Sequence, residues 1–138
     1  METRLLTRDT MIVLRDQDVV LYKNRVKANA EKIKMGLLNQ TKLLTAASEM
    51  VRNMLRYGNG GQTIIEIVSR GLNNGIRLTF KDEGPGIADI PQAMMDGFST
   101  GKSLGLGLPG TKRLVNEFDI KSEPGVGTIV TLIKWANG

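Results

Sequence analysis

Ile76-Arg-Leu-Thr-Phe-Lys-Asp-Glu-Gly-Pro-Gly86 alternates apolar and polar residues and then breaks into glycine. Side chains along a strand have a period of two, so Asp82 shares a face with Ile76, Leu78 and Phe80. A carboxylate continuing an apolar face is costly unless a donor meets it. Gly84 and Gly86 follow at once and permit close approach to the backbone. An aspartate aimed into a pocket beside glycines can accept a hydrogen bond from a ligand amino group. Adenine carries one.

Upstream of this strand, Asn74-Gly75 is a hairpin signal, pairing strand 76–82 with a strand from Gln62 to Ser69. Gly58-Asn-Gly-Gly61 reads as a loop. Before it, Leu43, Leu44, Ala47, Met50, Val51, Met54 and Leu55 recur at helical spacing, predicting a helix that ends near Tyr57. An earlier helix starts at Asp16 or Asp18 and runs to about Met35. Val19, Tyr22, Val26, Ala30 and Ile33 form its stripe, and Gly36 is its stop. Residues 10 to 14 form a short first strand.

Downstream, the glycine-rich stretch 84 to 107 holds a short helix at Pro91 to Met95. Pro109 sits in the first turn of a helix over 109–118 with Leu114, Val115 and Phe118 as its apolar residues. Asp119 to Glu123 and Thr128 to Trp135 make a final hairpin around Pro-Gly-Val-Gly. This arrangement predicts a two-layer α/β sandwich, helices on one face of a mixed, largely antiparallel sheet.

The chain has 138 residues, 41% of them hydrophobic, which suits one domain spanning 1–138. No cysteine or histidine is present, which excludes disulfides, thiolate metal sites and any histidine base or phospho-acceptor. No apolar run reaches the ~18 residues of a membrane span, and Met1 to Asp9 lacks a signal-peptide core. The expectation is a cytoplasmic protein without membrane contact. The net charge of +5 raises nucleic acid as a partner, but the basic residues are scattered and aromatics are 4%, so no stacking platform is visible. No nucleic-acid partner is expected.

Two glycine motifs fail as their usual readings. Gly97-Phe-Ser-Thr-Gly-Lys-Ser103 would need its first P-loop glycine at position 96, which is Asp96. Gly105-Leu-Gly-Leu-Pro-Gly110 satisfies GxGxxG, but no strand precedes it and no βαβ unit surrounds it. What survives is physical. A glycine-rich segment opening a helix offers free N–H groups and a positive dipole end to phosphate, and Lys102 adds charge.

Glu49 and Asn53 are four apart on the second helix and share a face opposite the Leu/Met stripe. That face lines a cleft or is solvated surface. In a cleft, the Asn53 amide oxygen suits Mg²⁺ and Glu49 suits a general base. Gly125-Val-Gly-Thr128 alone is a hairpin turn followed by a strand-starting threonine.

The order of these pieces, Glu-xxx-Asn, then Asp-x-Gly-x-Gly, then Gly-Leu-Gly-Leu, then Gly-Thr, resembles the GHKL ATPase superfamily from about Thr41 to Trp135. That resemblance implies the Bergerat ATP-binding sandwich and Mg²⁺-ATP under a lid of residues 87 to 106. It implies that Asp82 takes the adenine amino group, supported by Thr128 through water, and that Gly84 and Gly86 admit the base. Asn53 holds Mg²⁺ and Glu49 acts as catalytic base. Gly105, Leu106, Gly107 and Leu108, with Lys102, lie at the phosphates.

The chain is too short for the extra domains of gyrase-, MutL- or Hsp90-like members and has no histidine to phosphorylate. Asp-Gly-Phe-Ser-Thr100, Gly-Leu-Pro-Gly-Thr-Lys-Arg-Leu114, Asn-Glu-Phe118 and Ile-Lys-Trp135 resemble the anti-sigma-factor serine/threonine kinases, most of all the switch kinases of bacterial stressosomes. The expected activity is phosphorylation of Ser or Thr on STAS-domain scaffold and antagonist proteins. The expected second partner, after release, is a PP2C-type phosphatase that the kinase activates. Two alternatives stay open: a kinase that sequesters a sigma factor, and an ATP-dependent binding module without significant turnover.

Overall fold

A computed structural model describes residues 2–82, 84 and 107–137. The elements are β1 (Arg4–Val13), α1 (Gln17–Lys32), α2 (Leu37–Gly58), β2 (Gly61–Arg70), β3 (Asn73–Asp82), α3 (Gly107–Leu114), β4 (Glu117–Glu123) and β5 (Gly127–Trp135). The strands form one sheet in the order β1-β2-β3-β5-β4. Every adjoining pair among them is antiparallel. The expected two-layer sandwich is present.

One face of the sheet carries Ile65, Ile67, Ile76, Leu78, Phe80, Val130 and Leu132, and these pack with Tyr22, Val26 and Ala30 of α1 and Leu43, Ala47, Met50, Val51 and Met54 of α2. The helical stripes of the sequence are therefore the covered faces. Burying each larger side chain contributes about 2 kcal/mol. Tyr22 meets Phe80 edge to face at 5.8 Å between ring centroids. Lys134 lies on this inner face, opposite Ile76. Burial, and then the charge of Lys42 on α2, push its pKa below the usual lysine value.

Several boundaries differ from expectation. β1 begins at Arg4 rather than at residue 10, because all of it pairs with β2 past an irregularity at Leu5/Thr7. Asp16 makes no side-chain cap; instead the Asp18 carboxylate accepts the N–H groups of Leu14 and Arg15, each at 3.0 Å. Those two bonds hold the Asp18 carboxyl below its ordinary pKa. Gly36 does not stop α1. The left-handed position falls to Lys34 at φ 57°, where Met35 N–H bonds to Ala30 and Lys34 N–H to Glu31. Gly36 is extended and precedes α2. Phe118 belongs to β4, not to α3, which ends at Leu114.

Asn74-Gly75 is not the turn either. The β2–β3 turn is Gly71-Leu72, with Gly71 at φ 64°. Gly75 lies within β3, opposite Val68 on one side and Trp135 on the other. A Cβ there would sit 2.6 Å from Trp135 Cε3. The glycine makes room for an indole ring and reverses no chain.

Candidate nucleotide site

At one end of the inner face, pairing sets Gly61, Asp82, Thr128 and Ser122 side by side across β2, β3, β5 and β4. Asp82 and Thr128, both singled out from the sequence, are directly opposed. One Asp82 oxygen, Oδ1, accepts the Gly84 N–H at 3.0 Å. Its other oxygen has no partner among the described residues. A half-buried carboxylate with one free oxygen fits an amino donor.

The last turn of α2 closes against this row. A Cβ on Gly58 would lie 2.5 Å from Asp82 Cγ, so a bare backbone is needed there. From Gly58 back to Asn53 and then Glu49, α2 rises by about 7.5 Å and about 13.5 Å. The helix thus spans the scale of a nucleotide, from Asp82 at one end to Glu49 at the other.

Glu49 is buried and Asn53 half-buried. Of the two readings open from sequence, solvated surface fails for Glu49. α3 packs against α2 here, and Glu49 Oε1 accepts the Gly107 N–H at 3.4 Å. Gly107 has φ 70°, a conformation that favours glycine, and its carbonyl accepts the Thr111 hydroxyl at 3.0 Å. Glu49 therefore stands at the amino end of a helix, where partial positive charge favours an anion. Leu108 packs against the core.

Gly86, Lys102, Gly105, Leu106, the 87–106 lid and the Pro91 to Met95 helix lie outside the described residues. Among the described residues no group of three or more acidic or histidine side chains could hold a metal ion. Mg²⁺ keeps several waters and needs few protein oxygens, so a lone asparagine amide beside substrate phosphates suits it. Among the described residues no helix is long and apolar enough to cross a membrane.

Two features of the site escaped the sequence reading. Gly58 looked like a loop glycine, yet it adjoins Asp82. Ser122 looked like an ordinary strand residue, yet its Oγ lies 2.9 Å from Thr128 Oγ1. The hairpin register gave a usable signal, since Glu123 opposite Gly127 forces Ser122 opposite Thr128.

The chain belongs to the family of histidine kinase-, DNA gyrase B-, and HSP90-like ATPases, whose sequence profile matches residues 38–136. It is 40% identical to the serine/threonine-protein kinase RsbT of Bacillus subtilis over 123 residues, 89% of this chain and 92% of that one. It is 35% identical to an anti-sigma F factor of Thermoanaerobacter sp. over 95 residues, 66% of each chain. In fold it resembles the RsbU and RsbW domains of a Mycobacterium tuberculosis protein, with TM-score 0.65 and 16% identity, covering 94% of this chain and 32% of the other. The histidine kinase AdeS of Acinetobacter baumannii matches with TM-score 0.53 and 16% identity, covering 96% and 70%.

Proposed function

We propose that this chain is an ATP-dependent protein serine/threonine kinase of a bacterial partner-switching pathway, acting in the cytoplasm. The observation that carries the reading is the α2 span, with Asp82 at one end and Glu49 beside the α3 amino end at the other. Its similarity to RsbT supports the same class. Asp82 accepts the adenine amino group, with Thr128 assisting through water, and Gly84 and Gly86 leave room for the base. Asn53 holds Mg²⁺ through its amide oxygen. The N–H groups of Gly105 to Leu108 and the Lys102 ammonium meet the phosphates.

When bound, Mg²⁺-ATP supplies the γ-phosphoryl group and a charge-neutralised leaving group. Glu49 takes the proton from the attacking Ser or Thr hydroxyl of the protein substrate. The hydroxyl oxygen bonds to the γ-phosphorus as the bridging P–O bond breaks and ADP departs. The chain's part is positioning and electrostatics. The substrates in this reading are STAS-domain scaffold and antagonist proteins. The released kinase then activates a PP2C-type phosphatase.

The test is transfer of labelled γ-phosphate from Mg²⁺-ATP to a panel of STAS-domain proteins encoded near this gene. Glu49→Ala should keep ATP binding and lower transfer by about 10²- to 10⁴-fold. Asp82→Asn should weaken ATP binding by about tenfold or more. Equal transfer by wild type and Glu49→Ala would remove the base role. ATP binding without transfer to any substrate would favour the second reading, a module that sequesters a sigma factor. The anti-sigma F factor relatives motivate that alternative, and isolation of a stable complex with a sigma factor would establish it.

A further inference from the structure

In-line phosphoryl transfer puts the attacking oxygen on the far side of the γ-phosphorus from the departing ADP. With the base at Asp82 and the γ-phosphoryl group at Glu49, the nucleotide runs along α2 from its carboxyl end toward its middle. The acceptor hydroxyl then comes in over the amino-terminal half of that helix, Leu37 to Thr45. Leu38, Lys42, Thr45 and Glu49 are spaced four, three and four apart, so one side of the helix carries them all. Along the axis, on the side away from Asp82, Lys42 lies about 10.5 Å and Leu38 about 16.5 Å beyond Glu49.

The surface of this half-helix is apolar and cationic. Leu37 is 80% and Leu38 69% exposed. Thr41 and Thr45 are exposed too, but their hydroxyls donate to the carbonyls of Leu37 and Thr41 at 2.9 and 2.8 Å, which leaves little hydrogen bonding to offer outward. The charges on the two helices that flank Glu49 are one-sided. α2 carries Lys42, Arg52 and Arg56, and α3 carries Lys112 and Arg113. The sole acid on either helix is Glu49, which is buried. Lys42 lies two turns beyond Glu49, on the far side from the nucleotide, so its charge is placed for an incoming protein rather than for the phosphates. We infer that Leu37 to Thr45 is the docking surface for the protein substrate, which presents to it an acidic patch with an apolar side chain beside the acceptor hydroxyl. The inference rests on the kinase reading. Its own content is where the substrate docks and what chemistry its face carries: opposite charge steers the approach, and the exposed leucines anchor it.

The test uses the full chain with a protein acceptor found in the labelled-phosphate panel, and reads KM for the acceptor, KM for ATP and kcat. Lys42→Glu should raise the acceptor KM about five- to tenfold and leave the ATP KM and kcat at wild-type values. Lys42→Arg, which keeps the charge, should behave as wild type. Leu38→Ala should raise the acceptor KM about fivefold. Added salt should raise the acceptor KM of wild type more than that of Lys42→Glu. An acceptor KM that Lys42→Glu and Leu38→Ala leave unchanged, or an equal rise in the ATP KM, would overturn the inference while leaving the kinase reading in place. So would sedimentation in which Leu38→Ala splits a dimer of this chain, since the face would then belong to a second copy. Wild-type protein that binds ATP but labels no acceptor would overturn the kinase reading itself, and this inference with it.

Discussion

The two faces of the sheet are stabilised by different physics. The inner face buries Ile, Leu and Val against two helices, in one cluster that includes α1, α2 and four strands. The outer face has a small apolar cluster of Val68, Ile133 and Trp135 that contains no helix residue. It compensates with charged groups. Glu66, 4% exposed, accepts from Arg8 Nε at 3.1 Å and from Arg77 Nε at 2.9 Å, across three strands. At the far end the Trp135 ring lies over Gly75, and the Arg70 guanidinium stacks on it 4.8 Å from the centroid. Glu117 accepts from Arg70 Nη1 at 2.8 Å and from the Trp135 indole N–H at 3.3 Å. A sheet face whose apolar cluster includes no residue of a described helix can still shield its ladder when long side chains lie flat across neighbouring strands.

The contrast predicts unequal responses to mutation. Leu78→Ala, at the fully buried centre of the inner face, should cost about 3–4 kcal/mol in urea unfolding. A loss under about 1 kcal/mol would mean the inner face is not close-packed. Gly75→Ala should cost about 2 kcal/mol, since the new methyl meets both the Trp135 ring and the Lys134 carbonyl. Adding Trp135→Leu should recover part of that loss. Strictly additive effects would show that the indole does not rest on Gly75.

Glu66→Gln should cost about 1–2 kcal/mol, because two arginines lose their carboxylate but both reach water. Burial works to raise the Glu66 pKa, yet hydrogen bonds and charge from Arg77 and Arg8 outweigh it, and the net direction is below the ordinary 4.5. A carboxyl with a depressed folded pKa contributes stability that is complete above its unfolded value. That contribution fades as pH falls through the folded pKa. Wild-type stability should therefore decline below about pH 4.5 by an increment that Glu66→Gln lacks. Parallel pH profiles would contradict the ion-pair account. The smallest effect belongs back on the inner face. Among the described residues the buried Tyr22 hydroxyl has no hydrogen-bond partner, and burial raises its pKa well above the usual value. Tyr22→Phe should be neutral or stabilising by up to about 1 kcal/mol.

Legibility in the sequence followed the same division. The α2 stripe and the β3 alternation are periodic, so helix, strand and inner face could be read from spacing alone. Asp82 was legible because it extends an apolar face. Asn74-Gly75 misled because the dipeptide has strong local turn chemistry, while its actual place depends on Trp135, sixty residues away in the chain. Gly36 misled for a related reason: the Ala30 and Glu31 carbonyls were satisfied by Lys34 and Met35 before the glycine was reached. Glu49 and Asn53 were legible as a pair, but the burial of Glu49 required α3, which packs against α2 from more than fifty residues later.

The lone tryptophan has a practical consequence. Trp135 sits beside Gly75 on the outer face, whereas Asp82 and Thr128 lie on the inner face seven residues further along β3, about 23 Å away. Intrinsic fluorescence will therefore follow denaturation of this protein as a clean optical signal while remaining almost blind to a ligand at Asp82. Titrations of that site call for a chromophore on the ligand or for calorimetry, and a change in tryptophan emission on adding a protein partner would point to the opposite side of the sheet.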